Sequence, residues 1–363
     1  MTQILIISPE SWYTDFASKY HYSKTLANRG YKVYFLNPPQ NNLKNITIKK
    51  EENVFIVESS QVAKGLKYYP KKIRNYLESK WLSKLENKIG SKFTTIWLFE
   101  NSRFYDMKFA EDRLKIYHQM DYNQNFNLKQ AVKSSDISFC VNDIIKNILS
   151  KYSNKVYKIE HGVASPSKDI PLSEESKQKF LLNKINAIYV GDLVTEDMDI
   201  DILLEIIEKF PFISFHFVGT YDKYGKLYKA SKTYKNIILW GRVKSEMILP
   251  LLKKSDVTLL AYKVNTKEEK LQNTNSHKLM EYFLSGKVIV STYLSDQEKN
   301  KHLIEMVRES NEFVNKFTEI VNNLNYYNSQ EKQIKRIQYA KDRSYSRRLD
   351  KIISLLHKHN YSM

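Results

Sequence analysis

Short apolar runs alternate with longer amphipathic stretches along most of the chain, and the alternation starts twice. Ile4-Leu-Ile-Ile7 reads as a buried strand, Ser8-Pro-Glu-Ser-Trp12 as a turn, and the following stretch through Ala27 as a helix. Arg29-Gly30 stops that helix, and Tyr31-Lys-Val-Tyr-Phe-Leu36 is the next strand before Pro38-Pro39, a βαβ opening. Further strands are predicted at 54–57, 95–99, 114–117, 137–141 and 156–159, with a helix near 143–152. A polar stretch from Pro166 to about Lys177 reads as a linker. The second series begins with strand 187–190 and the turn Gly191-Asp192-Leu193, followed by an amphipathic helix at 200–210. Strand 213–218 leads to Gly219, and strand 237–240 leads to Gly241. A helix at 245–253 and strand 257–260 follow, and the chain closes on helical stretches from 331 to 359.

Two such series predict an α/β protein with two mainly parallel sheets, each covered by helices. The boundaries are drawn at 1–165, a linker at 166–182, a second domain at 183–330, and C-terminal helices at 331–363 that pack back on the first domain. Ligands of such sheets bind at the carboxyl ends of the strands, where Gly191, Gly219 and Gly241 fall. The stretch Asn275-Ser-His-Lys-Leu-Met-Glu-Tyr-Phe-Leu-Ser-Gly-Lys-Val-Ile-Val-Ser-Thr292 carries the most chemistry. It reads as a Ser276-capped helix, a Gly286 stop and a β-branched strand. A helix N-terminus and Lys278 suit phosphates, and Glu281, within about a turn and a half, suits ribose hydroxyls. An ordinary αβ unit with a solvated Glu281 stays open on these residues alone.

That segment resembles the nucleotide-sugar motif of GT-B glycosyltransferases, particularly glycosyltransferase family 4 of the polysaccharide-biosynthesis type. Lys278, Leu279, Glu281, Tyr282, Gly286, Lys287 and Thr292 fall on the pattern. Ser276 replaces a Pro, Val288 a second Pro, and Asn273 stands where the family has the first of two Glu. Arg29-Gly30 and His161-Gly-Val163 also match family landmarks, His161 replacing Asn. The resemblance implies two Rossmann-like domains facing a central cleft, the first for the acceptor and the second for a UDP-, GDP- or TDP-sugar. It also implies a last helix that crosses back, a retaining mechanism and no metal.

On that resemblance the donor residues are Gly191, Asp192, Gly219, Gly241, Arg242, Val243, Asn275, Ser276, His277, Lys278, Leu279 and Glu281. Arg242 and Val243 would lie by the base. The loop after strand 187–190 lacks the Arg and Lys that many members place there, so Lys278, helix amides and Arg242 would meet the diphosphate. Asp121, with His118 where the branch shows another acid, would orient an acceptor hydroxyl; Glu100, Asn101 and His161 are further candidates. Asp197-Met-Asp199 offers a metal reading and a helix-start reading, and the apolar run that follows favours the helix start.

Composition sharpens the rest. The chain has 363 residues and a net charge of +18, with hydrophobic content of 42%, as in ordinary globular proteins. The single cysteine, Cys140, excludes a disulfide framework and sits in a strand-like run. No signal peptide and no run of about 20 apolar residues is visible, which predicts a cytoplasmic protein with at most peripheral membrane contact. Residues 62–92 carry nine Lys/Arg against two Glu, and 331–363 nine Lys/Arg against three acids. With Tyr68, Tyr69, Tyr76 and Trp81 interleaved, the first cluster resembles a helix lying on an anionic membrane; a solvated charged helix is the plainer alternative. A glycan acceptor on a lipid carrier, for bacterial surface polysaccharide, fits that charge. A basic nucleic-acid-binding protein is the rival class, although no such motif is present. A GT-B epimerase or phosphorylase is another. Gly-x-Gly-x-x-Gly, P-loop, Gly-x-Ser-x-Gly and zinc spacings are all missing from the sequence.

Overall fold

The computed structural model describes residues 2–13, 18–122, 126–164, 170–266, 269–270 and 277–363, with His277 described in its backbone only. The chain divides into two compact units. One comprises Met1–Glu160 with Tyr345–Met363, the other His161–Ser344.

The first unit holds strands β1 (Gln3–Ile7), β2 (Lys32–Leu36), β3 (Thr47–Glu51), β4 (Val54–Glu58), β5 (Thr95–Leu98), β6 (Leu114–Gln119), β7 (Ile137–Cys140) and β8 (Val156–Lys158). They form one sheet in the order β3-β4-β2-β1-β5-β6-β7-β8. All pairings are parallel except β3 with β4. Strands buried on both faces read as continuous apolar runs, as in Ile4–Ile7. Strand β3 has no such run: its Thr-Ile-Lys-Lys-Glu sequence lies on the sheet edge and is largely exposed. Helix α1 (Ser18–Asn28) packs on this sheet, α2 (Lys71–Ile89) carries the basic cluster, and α3 (Leu128–Ser134) and α4 (Asp143–Leu149) precede β7 and β8.

The second unit opens with α5 (Glu174–Lys179) inside the expected linker. The next residue, Phe180, stacks on His216 with ring centroids 4.1 Å apart, so the end of that stretch belongs to this unit's core. Strands β9 (Ile185–Val190), β10 (Ile213–Val218), β11 (Ile237–Gly241), β12 (Val257–Leu260), β13 (Val288–Ser291) and β14 (Glu305–Met306) run parallel in the order β11-β10-β9-β12-β13-β14. Their helices are α6 (Ile200–Lys209), α7 (Lys226–Thr233), α8 (Ser245–Lys254), α9 (His277–Ser285), α10 (Phe313–Asn322), α11 (Leu324–Tyr327) and α12 (Gln330–Lys341). The chain builds outward from β9 to β11 and then returns to lay β12 on the other side of β9. That reversal is a topological switch point, where ligands of open α/β sheets bind.

The C-terminal stretch is two helices with different allegiances. Helix α12, expected to fold back on the first domain, packs within the second unit. Phe283 and Tyr339 meet at 4.7 Å between rings, and buried Arg336 donates to the carbonyls of Leu303, Gly286 and Tyr327. Helix α13 (Tyr345–Lys358) belongs to the first unit. Its Tyr345 is buried, shares a hydrogen bond of 2.9 Å with the Ser18 hydroxyl and stacks on His21, while Arg29 pairs with Asp350.

Candidate functional site

Pairing between β9 and β12 stops after Ile188 and Thr258, so the two strands part toward their carboxyl ends. The parting leaves backbone groups that need partners. Tyr282 on α9 supplies them: its buried hydroxyl accepts from the Val190 amide at 2.8 Å and donates to the Leu259 carbonyl at 3.2 Å. A tyrosine of the sequence motif thus props open the switch point. Thr292, at the motif's end, accepts from the Tyr262 amide at 2.9 Å.

One turn earlier on the same helix face, Lys278 reaches over the gap. Its ammonium donates to the phenol oxygens of Tyr189 (2.9 Å) and Tyr262 (3.2 Å). Burial works to lower its pKa, but the two phenol oxygens outweigh burial and the net shift is upward. The lysine is therefore a fixed cation. It lies under the turns after β9 and β10, where Gly191 has φ 149° and Gly219 has φ 145°, regions that L side chains avoid. A Cβ on Gly191 would run into the Lys278 amine, and one on Gly219 would fall within the Gly191 carbonyl oxygen. The Gly191 amide donates to Val218 and the Gly219 amide to Gly241, stitching the three glycine-ended strands into one rim. Lys278 of α9 thus brings a positive charge against the turn after β9.

Glu281 lies one turn further along. It is half-buried and has no hydrogen bond or ion pair among the described residues. Burial alone pushes its carboxyl up to about 7. It does not pair with Lys278, whose amine is held by the phenols. Of the other residues expected around a donor, Asp192 spends a carboxylate oxygen on the Val194 amide at 3.1 Å. Arg242 is exposed and Val243 half-buried. The Leu279 side chain is wholly buried in the unit's core, where it packs the helix down, so any part it takes at the donor falls to its backbone. Asn275 and Ser276 lie outside the described residues, as does the His277 side chain.

In the first unit His118 is corrected. It is fully buried in β6 among the rings of Tyr22, Trp97, Phe99 and Phe139. Burial, reinforced by Lys19, lowers its pKa to about 3, and neither ring nitrogen has a partner among the described residues. The ring is packed as a member of the aromatic core rather than presented as a side chain at a cleft. Asp121, just past the strand, is exposed. Its pKa is raised, by desolvation first, with Lys19 opposing and Glu10 adding. Lys19 and Glu10 form an ion pair, Glu100 pairs with Arg103, and the Arg103 guanidinium donates to the Ser8 carbonyl at 2.7 Å. Burial raises the Glu100 carboxyl against the pull of Arg103. Asn101 and His161 are buried.

Asp199 caps α6, its Oδ1 accepting from the Ile202 amide at 3.2 Å and its Oδ2 from the Ser310 hydroxyl at 3.1 Å. The helix-start reading of Asp197-Met-Asp199 therefore prevails. Among the described residues no group of three or more His, Cys, Asp or Glu is placed to hold a metal, and no helix is long and apolar enough to cross a membrane. Sequence reasoning missed Tyr189 and Tyr262 as the seat of Lys278, because a tyrosine in a strand is an ordinary β-former.

No protein-family profile and no curated protein matches the chain. Solved structures do match over its length. Sucrose-phosphate synthase from Thermosynechococcus elongatus aligns with TM-score 0.72 at 11% identity, covering 99% of each chain. A glycosyltransferase from Rickettsia africae ESF-5 aligns with TM-score 0.70 at 14% identity, again over 99% of each chain. HepE from Anabaena, solved in complex with UDP and glucose, aligns with TM-score 0.65 at 12% identity over 99% of this chain and 100% of that one. At such identities the likeness speaks for architecture, and it agrees with the two parallel sheets: the chain has the GT-B fold.

Proposed function

We propose that the chain is a glycosyltransferase whose second unit takes a nucleoside diphosphate sugar where β9 and β12 part. One observation carries the reading. Lys278 is held by two phenols beneath a turn that tolerates no side chain, one helical turn from Glu281, a desolvated carboxyl with no described protein partner. A diphosphate suits the first group and vicinal hydroxyls the second. Lys278 and the amides opening α9 meet the diphosphate, Glu281 takes the ribose, and Arg242 and Val243 flank the base. UDP is the first nucleotide to try, since the matching HepE structure holds UDP and glucose; GDP and TDP are the alternatives.

The acceptor is a glycan hydroxyl on a lipid carrier, oriented in the first unit by Asp121, in the synthesis of a bacterial surface polysaccharide at the cytoplasmic face of the membrane. Reaction proceeds with retention: the acceptor oxygen bonds to the anomeric carbon as the bond to the diphosphate breaks. The diphosphate leaves with the electron pair and receives the acceptor's proton. Fixed positive charge at the leaving group supplies most of the effect, without a metal.

Calorimetric titration with UDP, GDP and TDP tests the donor half. One of them binds the parent, and Lys278→Met weakens it by about 10–100-fold, the worth of a charged hydrogen-bonding partner. Binding of none of the three, or a Lys278→Met variant equal to the parent, overturns it. Release of nucleoside diphosphate only when acceptor is added separates a transferase from an epimerase.

A further inference from the structure

We infer that the outward face of the turn Leu66–Tyr68 and helix α2 is a docking surface for an anionic lipid bilayer. Folding sorts the charges of this segment. Both of its acids point inward. Glu78 is 1% exposed and accepts from the Phe104 amide at 3.1 Å. Glu86 accepts from the Phe93 amide and takes two hydrogen bonds from Arg113, at 3.0 and 2.7 Å. Two of the cations are also spoken for: Arg74 lies buried over the Tyr105 ring, and Lys71 meets Asp106 and Gln130. Lys64, Lys67, Lys72, Lys80 and Lys84 remain exposed, and none meets an acid among the described residues. The helix's own outward charges are all cationic, and an exposed acid at its flank, Glu111, accepts from the Ser79 hydroxyl at 3.2 Å.

The apolar residues are sorted the opposite way from a globular surface. Tyr68 is 78% exposed, Tyr76 65% and Ile73 49%, and Tyr69 is exposed with them. No other stretch of nine described residues exposes four large hydrophobic side chains. Ile73, Tyr76 and Lys80 fall at i, i+3 and i+7, one stripe of the helix, with Lys72 beside it. The inner side is anchored by Trp81, Leu82 and Leu85, with Trp81 packed on Phe104 at 5.2 Å, so the stripe is held on a fixed platform. A shallow ridge of tyrosine and isoleucine rimmed by unpaired lysines matches the headgroup level of an acidic membrane: rings and Ile73 enter the interface, ammonium groups meet phosphates. Nucleic acid would engage the lysines but has no use for Ile73.

This goes beyond the donor reading, which concerns the other unit, and the two fail separately. Flotation of the full chain is compared on vesicles of phosphatidylcholine alone and of phosphatidylcholine with phosphatidylglycerol. The chain floats only with the acidic vesicles, and recovery falls as salt rises. Lys72→Glu with Lys80→Glu lowers partitioning at least about tenfold. Ile73→Ser with Tyr76→Ser lowers it at unchanged charge. Both pairs lie on the surface and leave the melting temperature, with and without UDP, as in the parent. Equal recovery on the two vesicle types, or indifference to either pair of substitutions, overturns the inference. So does retention of a random DNA duplex by a chain that ignores acidic vesicles.

Discussion

Replacing Glu281 by glutamine separates what this carboxyl costs the fold from what it gives a ligand. Burial moves its pKa from 4.5 to about 7, and each unit corresponds to about 1.4 kcal/mol. The full shift is about 3 kcal/mol; partial solvent contact discounts it, so about 1–3 kcal/mol is expected. The sign follows from proton linkage. A carboxyl whose pKa rises on folding binds protons more tightly in the native state, so raising the pH removes stability. That loss is negligible below about pH 4.5, grows from there to about pH 7, and is constant above. Glutamine has the same shape without the charge. The variant should therefore melt about 2–10 °C above the parent at pH 8 and close to it near pH 4.5. Nucleotide binding should move the other way: the parent tightens as pH rises through about 7, where the carboxylate forms, and the variant is weaker and flat. Melting scans at the two pH values with titration of UDP across that range read both effects. Equal melting at pH 8, or the same gain at both pH values, refutes the burial argument. UDP affinity like the parent's refutes the ribose assignment.

Three further outcomes follow from the same geometry. Tyr189→Phe with Tyr262→Phe should free the Lys278 amine and weaken nucleotide diphosphate binding about tenfold while leaving nucleoside binding unchanged, as titrations with UDP and uridine would show; equal losses for both ligands would contradict the role of the phenols. Gly219→Ala forces a Cβ onto the Gly191 carbonyl in a backbone region closed to alanine, so a loss of about 2–4 kcal/mol by urea unfolding is expected, with donor binding gone. His118→Phe replaces a ring with two orphaned nitrogens by one with none, and should leave stability unchanged or raise it by about 1 kcal/mol, with transfer activity retained; loss of activity without loss of stability would restore a chemical role to His118.

The alternation of elements was legible because strands covered on both faces must be apolar throughout, as in Ile4–Ile7 and Val288–Val290. The same rule hid two things. Thr47–Glu51 is an edge strand with one neighbour and water on its faces, so its sequence carries no apolar signal. His118 lies in a strand with both faces buried, and a histidine at a strand end looks the same in sequence whether it faces a cleft or an aromatic cluster. Lys278, Glu281 and the glycine-ended strands were readable because each serves a local purpose: a helix start, a turn with positive φ. Their shared anchor was not. Tyr189 and Tyr262 lie 73 residues apart in number and meet only because β12 returns beside β9. The division at 344 and 345 was equally hidden, since an apolar face on a helix does not say which of two cores it will meet.

The first unit is completed by a segment, Tyr345–Met363, that follows the whole second unit in sequence. Leu349, Ile352 and Leu356 of α13 are buried in the same core as β1 and β2, which precede them by some three hundred residues of chain. During vectorial synthesis that core must wait, one flank uncovered, until the whole intervening His161–Ser344 segment has been threaded out. The inserted unit has every strand of its sheet in one continuous stretch and suffers no such delay. The second unit can thus complete its core before the first, although the first begins earlier in the sequence.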